Sequence, residues 1–382
     1  MAVRTAALPR SDAAPLGPVS LRRALVMVGG AALLIVSLLL VAPAVADLPA
    51  ALRRLEHGDG RWLLLALLLE ALSFLGHAIL FRAVGLDDRG RIGLRASIEI
   101  TLAGHAATRL LASAGAGGVA LTAWAMRRSG IDRATVAARM TTFLVLLYSV
   151  YMGALILGGA GLALGVLPGG GSFAITVVPA LFGTVVITVV LSATRIRHGE
   201  GRVRRVLAPL GAGVRDARRM VRSGDAGLAG AIMWWAFDIA VLWACFKAFG
   251  ASPAIAVVVV AYFVGTLANT LPLPGGIGGV EGGMVGALAA FGVDPGLALI
   301  AVLAYRGFAF WLPIVPGVIA YVTLRRTVAG WEAEDQLASV EWKASASSTI
   351  LISRSGCRTW QSRCRVSSPS PGLTTPSSSP SI

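Results

Sequence analysis

Apolar runs of about 20 residues alternate with short arginine-bearing loops between Ala24 and Leu324. Runs of this length match the hydrocarbon thickness that a helix has to cross. Within lipid, backbone groups find no water, so each run is expected to close its own hydrogen bonds as a helix. Full crossings are therefore predicted at Ala24–Ala46, Trp62–Phe81, Ala134–Gly159, Phe173–Ser192, Gly227–Phe249 and Leu297–Leu324. Two other stretches are apolar but broken. Ala96–Ala112 runs into SAGAGG, containing Gly115, Gly117 and Gly118, and continues as Val119–Met126. Ala254–Leu271 runs into PLPGGIGG, containing Pro272, Pro274, Gly275, Gly276, Gly278 and Gly279, and continues as Gly282–Phe291. Proline lacks a backbone donor and glycine is conformationally permissive, so neither continues a helix well. Two re-entrant helical hairpins are the expectation, with their tips at these breaks.

Composition fixes the class. Hydrophobic residues make up 56% of the 382 and charged residues 14%, against about a quarter charged in soluble domains. The fold class expected is an all-α polytopic membrane protein. The net charge of +15 does not point to nucleic acid, because the arginines gather in short loops between apolar runs, where the positive-inside rule places them. Three cysteines, Cys245, Cys357 and Cys364, show neither metal-ligand spacing nor a disulfide framework. No metal and no cofactor is expected.

Charge also sets the sides. Arg22 and Arg23 precede the first run, so the N-terminus is expected in the cytoplasm, and both termini by parity, in a cell inner (plasma) membrane. The loop Thr194–Asp225, with nine arginines, is the strongest anchor to the cytoplasmic side. Three full crossings separate the broken stretches, so one hairpin opens inward and the other outward. Two halves emerge, about 21–160 and 173–326, each reading helix, helix, re-entrant hairpin, helix. They align directly: Gly104 over Gly265, Gly115 over Gly276, Gly117 over Gly278 and Gly118 over Gly279, then Gly130-Ile-Asp132 over Gly292-Val-Asp294 after one residue of slippage. Inverted repeats with broken helices near the midplane are a transporter architecture, and half-helix N-termini offer free donors to anions. Residues 1–20 are expected to be disordered, 21–326 to form the membrane domain, and 327–382 to be a mostly disordered cytoplasmic tail.

The run NTLPLPGGIGGVEGGMVGALAAFGVD (Asn269–Asp294), followed by AYRGFAFWLPIVPG (Ala304–Gly317), resembles the lysylphosphatidylglycerol synthase transmembrane-domain, or flippase-like, family. AGHAATRLLASAGAGGVALTAWAMRRSG (Ala103–Gly130) resembles that family's first glycine motif, although SAGAGG stands where members usually begin with proline-glycine. The likeness covers roughly Leu21–Arg326. It implies a membrane domain associated with phospholipid translocation, fused in some members to a cytoplasmic aminoacyl transferase. The stretch after Arg326 is too short for that transferase, so lysyl transfer is not implied and no enzyme activity is expected.

Ionisable residues inside membrane runs are costly and usually face the protein interior. Glu281 follows the second break, as a gate, a proton-linked acid or a headgroup partner, or else as a cap on the returning half-helix. Arg306 is a candidate phosphate ligand or a partner for Glu281. Arg109 is the second candidate phosphate ligand, and Asn269 is expected to bond freed backbone groups. Glu70 and His77 share a helix face, as a functional pair or as two residues satisfied by neighbouring helices. Asp238 and Lys247 are too far apart to pair, and Lys247 is expected to snorkel outward. Trp234, Trp235 and Trp311 are expected at the membrane interfaces. The headgroup path expected is therefore Glu281, Arg306, Arg109 and Asn269. The partners expected are membrane lipids, chiefly anionic phospholipid. Three functions stay open: flippase-like movement of a phospholipid or lipid-linked headgroup, secondary transport of a small ion or solute, and a non-transporting membrane partner of a glycolipid-synthesis enzyme.

Overall fold

The computed structural model describes residues 58–85, 90–110, 116–193, 202–270 and 276–363, without the side chains of 193, 202–207, 269–270 and 341–363. The terminus 1–20, the crossing Ala24–Ala46, Gly115, Pro272, Pro274, Gly275 and the Asn269 side chain lie outside the described residues. Among the described residues every regular element is a helix: α1 (Gly60–Gly85), α2 (Leu94–Leu110), α3 (Ala116–Arg128), α4 (Arg133–Ala163), α5 (Phe173–Ala193), α6 (Arg202–Ser223), α7 (Ala226–Ala248), α8 (Ile255–Thr266), α9 (Gly279–Ala290), α10 (Pro295–Arg306) and α11 (Ile314–Arg363). A 3-10 turn, Leu267–Thr270, follows α8, and a π turn, Gly307–Trp311, follows α10. The chain divides into two compact units, Met1–Thr327 and Val328–Ile382.

Five helical runs are long and apolar enough to cross a membrane: Gly60–Gly85, Arg133–Ala163, Phe173–Ser192, Ala226–Ala248 and Pro295–Val340. They coincide with the five full crossings expected within the described residues. The protein is a multi-pass membrane protein. By contrast α8 and α9 have 12 residues each, or about 18 Å at 1.5 Å per residue, well short of the ~30 Å hydrocarbon core.

Helix boundaries follow from capping. Gly130 and Gly292 take φ of 103° and 82°, a region that L side chains avoid. The N–H groups of Ile131 and Val293 then bond back to Met126 O and Leu288 O, closing α3 and α9. Two residues after each glycine an aspartate caps the next helix. Asp132 accepts from Ala134 N at 2.9 Å and Asp294 from Leu297 N at 2.8 Å. The Gly-x-Asp pair aligned in the sequence thus builds one turn twice.

The most extensive contact joins α1 to α7 along their whole lengths, antiparallel. Near one end Asp59 N bonds Ala248 O at 2.9 Å, and Trp62 packs edge-on to Trp243. Midway, Gly76 meets Gly230 so closely that a Cβ on Gly230 would lie 2.5 Å from Gly76 O. Ser73 donates to Trp234 O at 2.9 Å beside this crossing. Small residues also join each short pair. A Cβ on Gly118 would stand 2.6 Å from Gly104 O, and one on Gly265 would stand 2.7 Å from Met284 N. Backbones that approach this closely are a common way for membrane helices to associate.

Several expectations are corrected. Gly117 and Gly118 lie inside α3, because helix starts at Ala116; Gly118 is needed there for its contact with Gly104. Gly279 likewise begins α9, leaving Gly276 and Gly278, at φ of 66° and 82°, as the described break residues. The basic loop Thr194–Asp225 contains α6, whose Val214 and Ala217 are buried and whose Gly213 O accepts from Thr142 on α4 at 3.1 Å. Alternation of small apolar residues with arginine at helical spacing carries that helix. The tail is helical as far as Arg363. Trp234 and Trp235 are buried mid-helix, Trp235 donating to Leu147 O at 2.7 Å, whereas Trp311 is exposed.

Gly230→Leu forces at least three extra carbons against the α1 backbone and is expected to cost about 1–3 kcal/mol or more, read as a lowered melting temperature in detergent. Gly153→Ala on α4, where a Cβ meets nothing within 4 Å, is the control and should leave the melt unchanged or slightly higher.

Candidate functional site

The α1–α7 crossing carries ionisable groups at mid-helix. Glu70 lies on α1 and Asp238 on α7, 3% and 6% exposed. Their carboxyls face each other within hydrogen-bonding reach. Asp238 Oδ2 accepts from the hydroxyl of Tyr262 on α8 and from Tyr305 on α10, the latter at 3.1 Å. Asp238 Oδ1 and Glu70 Oε2 receive no donor. His77, for which pairing with Glu70 was one of two expectations, packs on rings of neighbouring helices: 4.7 Å from His105 and 4.5 Å from Trp234. His105 stacks on Trp234 at 5.0 Å.

Arg109 reaches this centre from the last turn of α2. Its Nη2 donates to Ala309 O at 2.5 Å across 200 residues of sequence. The reason is local. In a continuing helix Ala309 O would accept from the N–H of residue 313, but residue 313 is proline and has none. Arg109 supplies a donor to that carbonyl. The guanidinium also sits 5.8 Å from the Phe74 ring centroid and 5.5 Å from that of Phe310. Its Nη1 is buried without a hydrogen-bond partner, within electrostatic reach of Glu70 and Asp238.

Arg306, at the end of α10, bonds Glu281 Oε1 through Nε at 2.6 Å, and its guanidinium lies 4.3 Å from the Phe310 ring centroid. Glu281 Oε2 accepts from Gly278 N at 2.7 Å. Both bland readings of Glu281 therefore hold together: it caps α9 and pairs with Arg306. Three of the four expected path residues, Glu281, Arg306 and Arg109, converge around Phe310. Lys247 lies at the end of α7, bonding Ser252 Oγ and lying over the Trp243 ring at 5.0 Å. Glu99 belongs elsewhere, bonded to Arg95 and Thr327.

Tyr262, Tyr305 and the pairing of Asp238 with Glu70 were not anticipated. Their trace in the sequence is a single tyrosine or acid inside an otherwise apolar run, as in Ala261-Tyr262-Phe263 and Ala304-Tyr305-Arg306.

A seam between α2 and the segment 309–327 leads outward from this centre. Gly317 packs on Leu102 and Ala106. Next to that contact is a half-open cavity of about 360 Å³, walled by Leu67, Phe74, Ile98, Leu102, Leu312 and Pro316, with Glu70 and Thr101 as its polar groups. Its rim residues Leu67 and Leu312 are exposed. Farther along, Arg91, Arg95, Arg326 and Thr323 line a second pocket of about 410 Å³. Among the described residues no group of three or more His, Cys, Asp or Glu could hold a metal ion.

Residues 27–317 match the family model described as "Lysylphosphatidylglycerol synthase TM region". Two curated proteins from Methanothermobacter thermautotrophicus, both named "UPF0104 membrane protein", are similar over shorter stretches. One is 36% identical over 89 residues, 23% of this chain and 25% of that protein; the other is 30% identical over 95 residues, 25% and 28% respectively. The matched segments thus span about a quarter of each relative.

Removing one member of a buried ion pair strands the other. Arg306→Met is expected to lower stability by about 3 kcal/mol, and the double variant Glu281→Gln/Arg306→Met to recover much of that loss. Thermal melts of the four proteins of the cycle measure it; losses that simply add would show that the pair is not coupled.

Proposed function

The chain belongs to the lysylphosphatidylglycerol synthase TM region family, and from that premise we propose that it moves an anionic phospholipid or lipid-linked headgroup between leaflets. The observation that carries this reading is the seam between α2 and the segment 309–327. It sets a half-open apolar groove, suited to acyl chains, beside the buried centre: Glu70 and Phe74 belong to both, and Arg109, suited to a phosphate, lies over the Phe74 ring. A carrier of small solutes needs polar walls around its cargo, and this groove offers almost none. The basic pocket of Arg91, Arg95 and Arg326 extends the same seam and provides a first station for an anionic headgroup.

The proposed architecture is an inverted repeat with two re-entrant hairpins, α2–α3 and α8–α9. Four features support it: the twice-built Gly-x-Asp turn, the close glycine contacts inside both pairs, the shortness of α8 and α9, and the Ser73–Trp234 bond. The last joins positions 161 residues apart, the same offset that sets Gly104 over Gly265. Contact between equivalent positions is what a two-fold axis through the α1–α7 crossing produces. In this reading Phe310 and the ion pair Glu281–Arg306 hold the end of the second hairpin against the path, and Arg109 receives the headgroup.

The test is leaflet exchange of fluorescent phosphatidylglycerol in vesicles containing the purified protein. Arg109→Ala removes a charge-assisted hydrogen bond worth about 1.5–3 kcal/mol and should slow exchange by roughly 10- to 100-fold. Leu67→Trp, which fills the groove, should slow it as well, while Val178→Trp on the exposed face of α5 should not. Folded protein that gives no exchange, or exchange indifferent to all three changes, contradicts the reading.

A further inference from the structure

We propose that Glu70 and Asp238 form a proton-binding site whose occupancy is set by Arg109. The two buried carboxyls are in reach of each other, and each keeps an oxygen that no donor satisfies. An ionised carboxylate only accepts hydrogen bonds, so two of them in contact leave nothing between them but repulsion. In a low-dielectric interior such a pair cannot be doubly ionised. A single proton between them supplies the missing donor. Tyr262 and Tyr305 both donate to Asp238 Oδ2, so Oδ1 is the oxygen left to share with Glu70. The proton belongs to the pair and not to either residue.

The pair with one proton carries one negative charge, and the surrounding groups show what balances it. The titratable and charged groups that interact with it directly are Arg109 on α2, Cys245 on α7, Tyr262 on α8 and Tyr305 on α10; His77 on α1, His105 on α2 and Arg306 on α10 lie one step farther out, against one another, Arg109 or Tyr305. Arg306 is committed to Glu281. The histidines are enclosed by Phe74, Phe143 and Trp234. Arg109, whose Nη1 is buried without a hydrogen-bond partner, is the cation that interacts with both carboxyls.

An anion that engages Nη1 takes that counter-charge away, and the pair then binds a second proton. By linkage the converse holds: acidification tightens anion binding. Glu70 also lines the half-open cavity beside Thr101, whose Oγ1 lacks a partner, so the pair borders the proposed headgroup path. The proton site stands on its own; only its link to an anion rests on the headgroup reading.

The test is infrared spectroscopy of the purified protein in phosphatidylcholine nanodiscs, following the carbonyl band of protonated carboxylic acid against pH. A band present at neutral pH and lost in both Glu70→Gln and Asp238→Asn is the expected result. If either variant fails to fold, the wild-type band and its assignment through the other variant still decide. No acid band at neutral pH, or a band that neither change removes, overturns the site, and does so without reference to leaflet exchange. Adding phosphatidylglycerol to the discs should raise the midpoint of the band by about one pH unit, a tenfold change in proton affinity. Inorganic phosphate in phosphatidylcholine discs is the second arm. A shift with the lipid alone assigns a lipid headgroup; a shift with both assigns phosphate from either source; a shift with neither overturns the link to Arg109.

Discussion

The close approach of Gly76 to Gly230 is the constraint on which the rest of the centre depends. Two full-length helices can cross that tightly only where side chains are absent, and α1 and α7 then stay in contact end to end. Their antiparallel path brings Ser73 against Trp234 and Glu70 against Asp238. In lipid an isolated carboxyl is expensive; here the cost is offset by partners drawn from α2, α8 and α10. The polar centre is thus a consequence of helix contact before it is a site.

Arg109 shows how one local defect recruits a distant residue. Pro313 strips the i→i+4 donor that Ala309 O would have in a continuing α-helix. A guanidinium at the end of α2 supplies the bond and settles between Phe74 and Phe310. Glu281 solves a comparable problem at the start of α9, where Gly278 N lacks an intrahelical acceptor. A charged side chain thus satisfies a backbone group in each place, Arg109 after α10 and Glu281 before α9. Residues that first look like ligands are also the means by which the broken helices remain folded.

Much of the scaffold was legible in the sequence, because membrane helices announce themselves by length and apolarity. All five crossings that fall on described residues lie where the apolar runs put them, and the Gly-x-Asp match aligned in the sequence marked the two turns, though not the capping role of their aspartates. The convergence of Glu281 and Arg306 was legible as one of two options. What could not be read was which helices touch. Periodicity places Glu70 on a face but does not say that Asp238, 168 positions later, lies on the face opposite. Gly118 of SAGAGG misled for a similar reason: glycine marks a break and a close contact equally well, and only the partner, Gly104, distinguishes them. Trp234 and Trp235 misled because tryptophan suits an interface and a packed core alike.

The proposed function requires a lipid to enter the seam beside α2 on its way to Arg109. The most direct measurement is photo-crosslinking in vesicles with a phosphatidylglycerol analogue that carries a diazirine next to its headgroup, mapped by mass spectrometry of the crosslinked peptides. The account predicts adducts concentrated on α1, on α2 and on residues 309–316, diminished by excess unlabelled phosphatidylglycerol. Adducts spread over the exposed face of α5 and absent from the seam would contradict it.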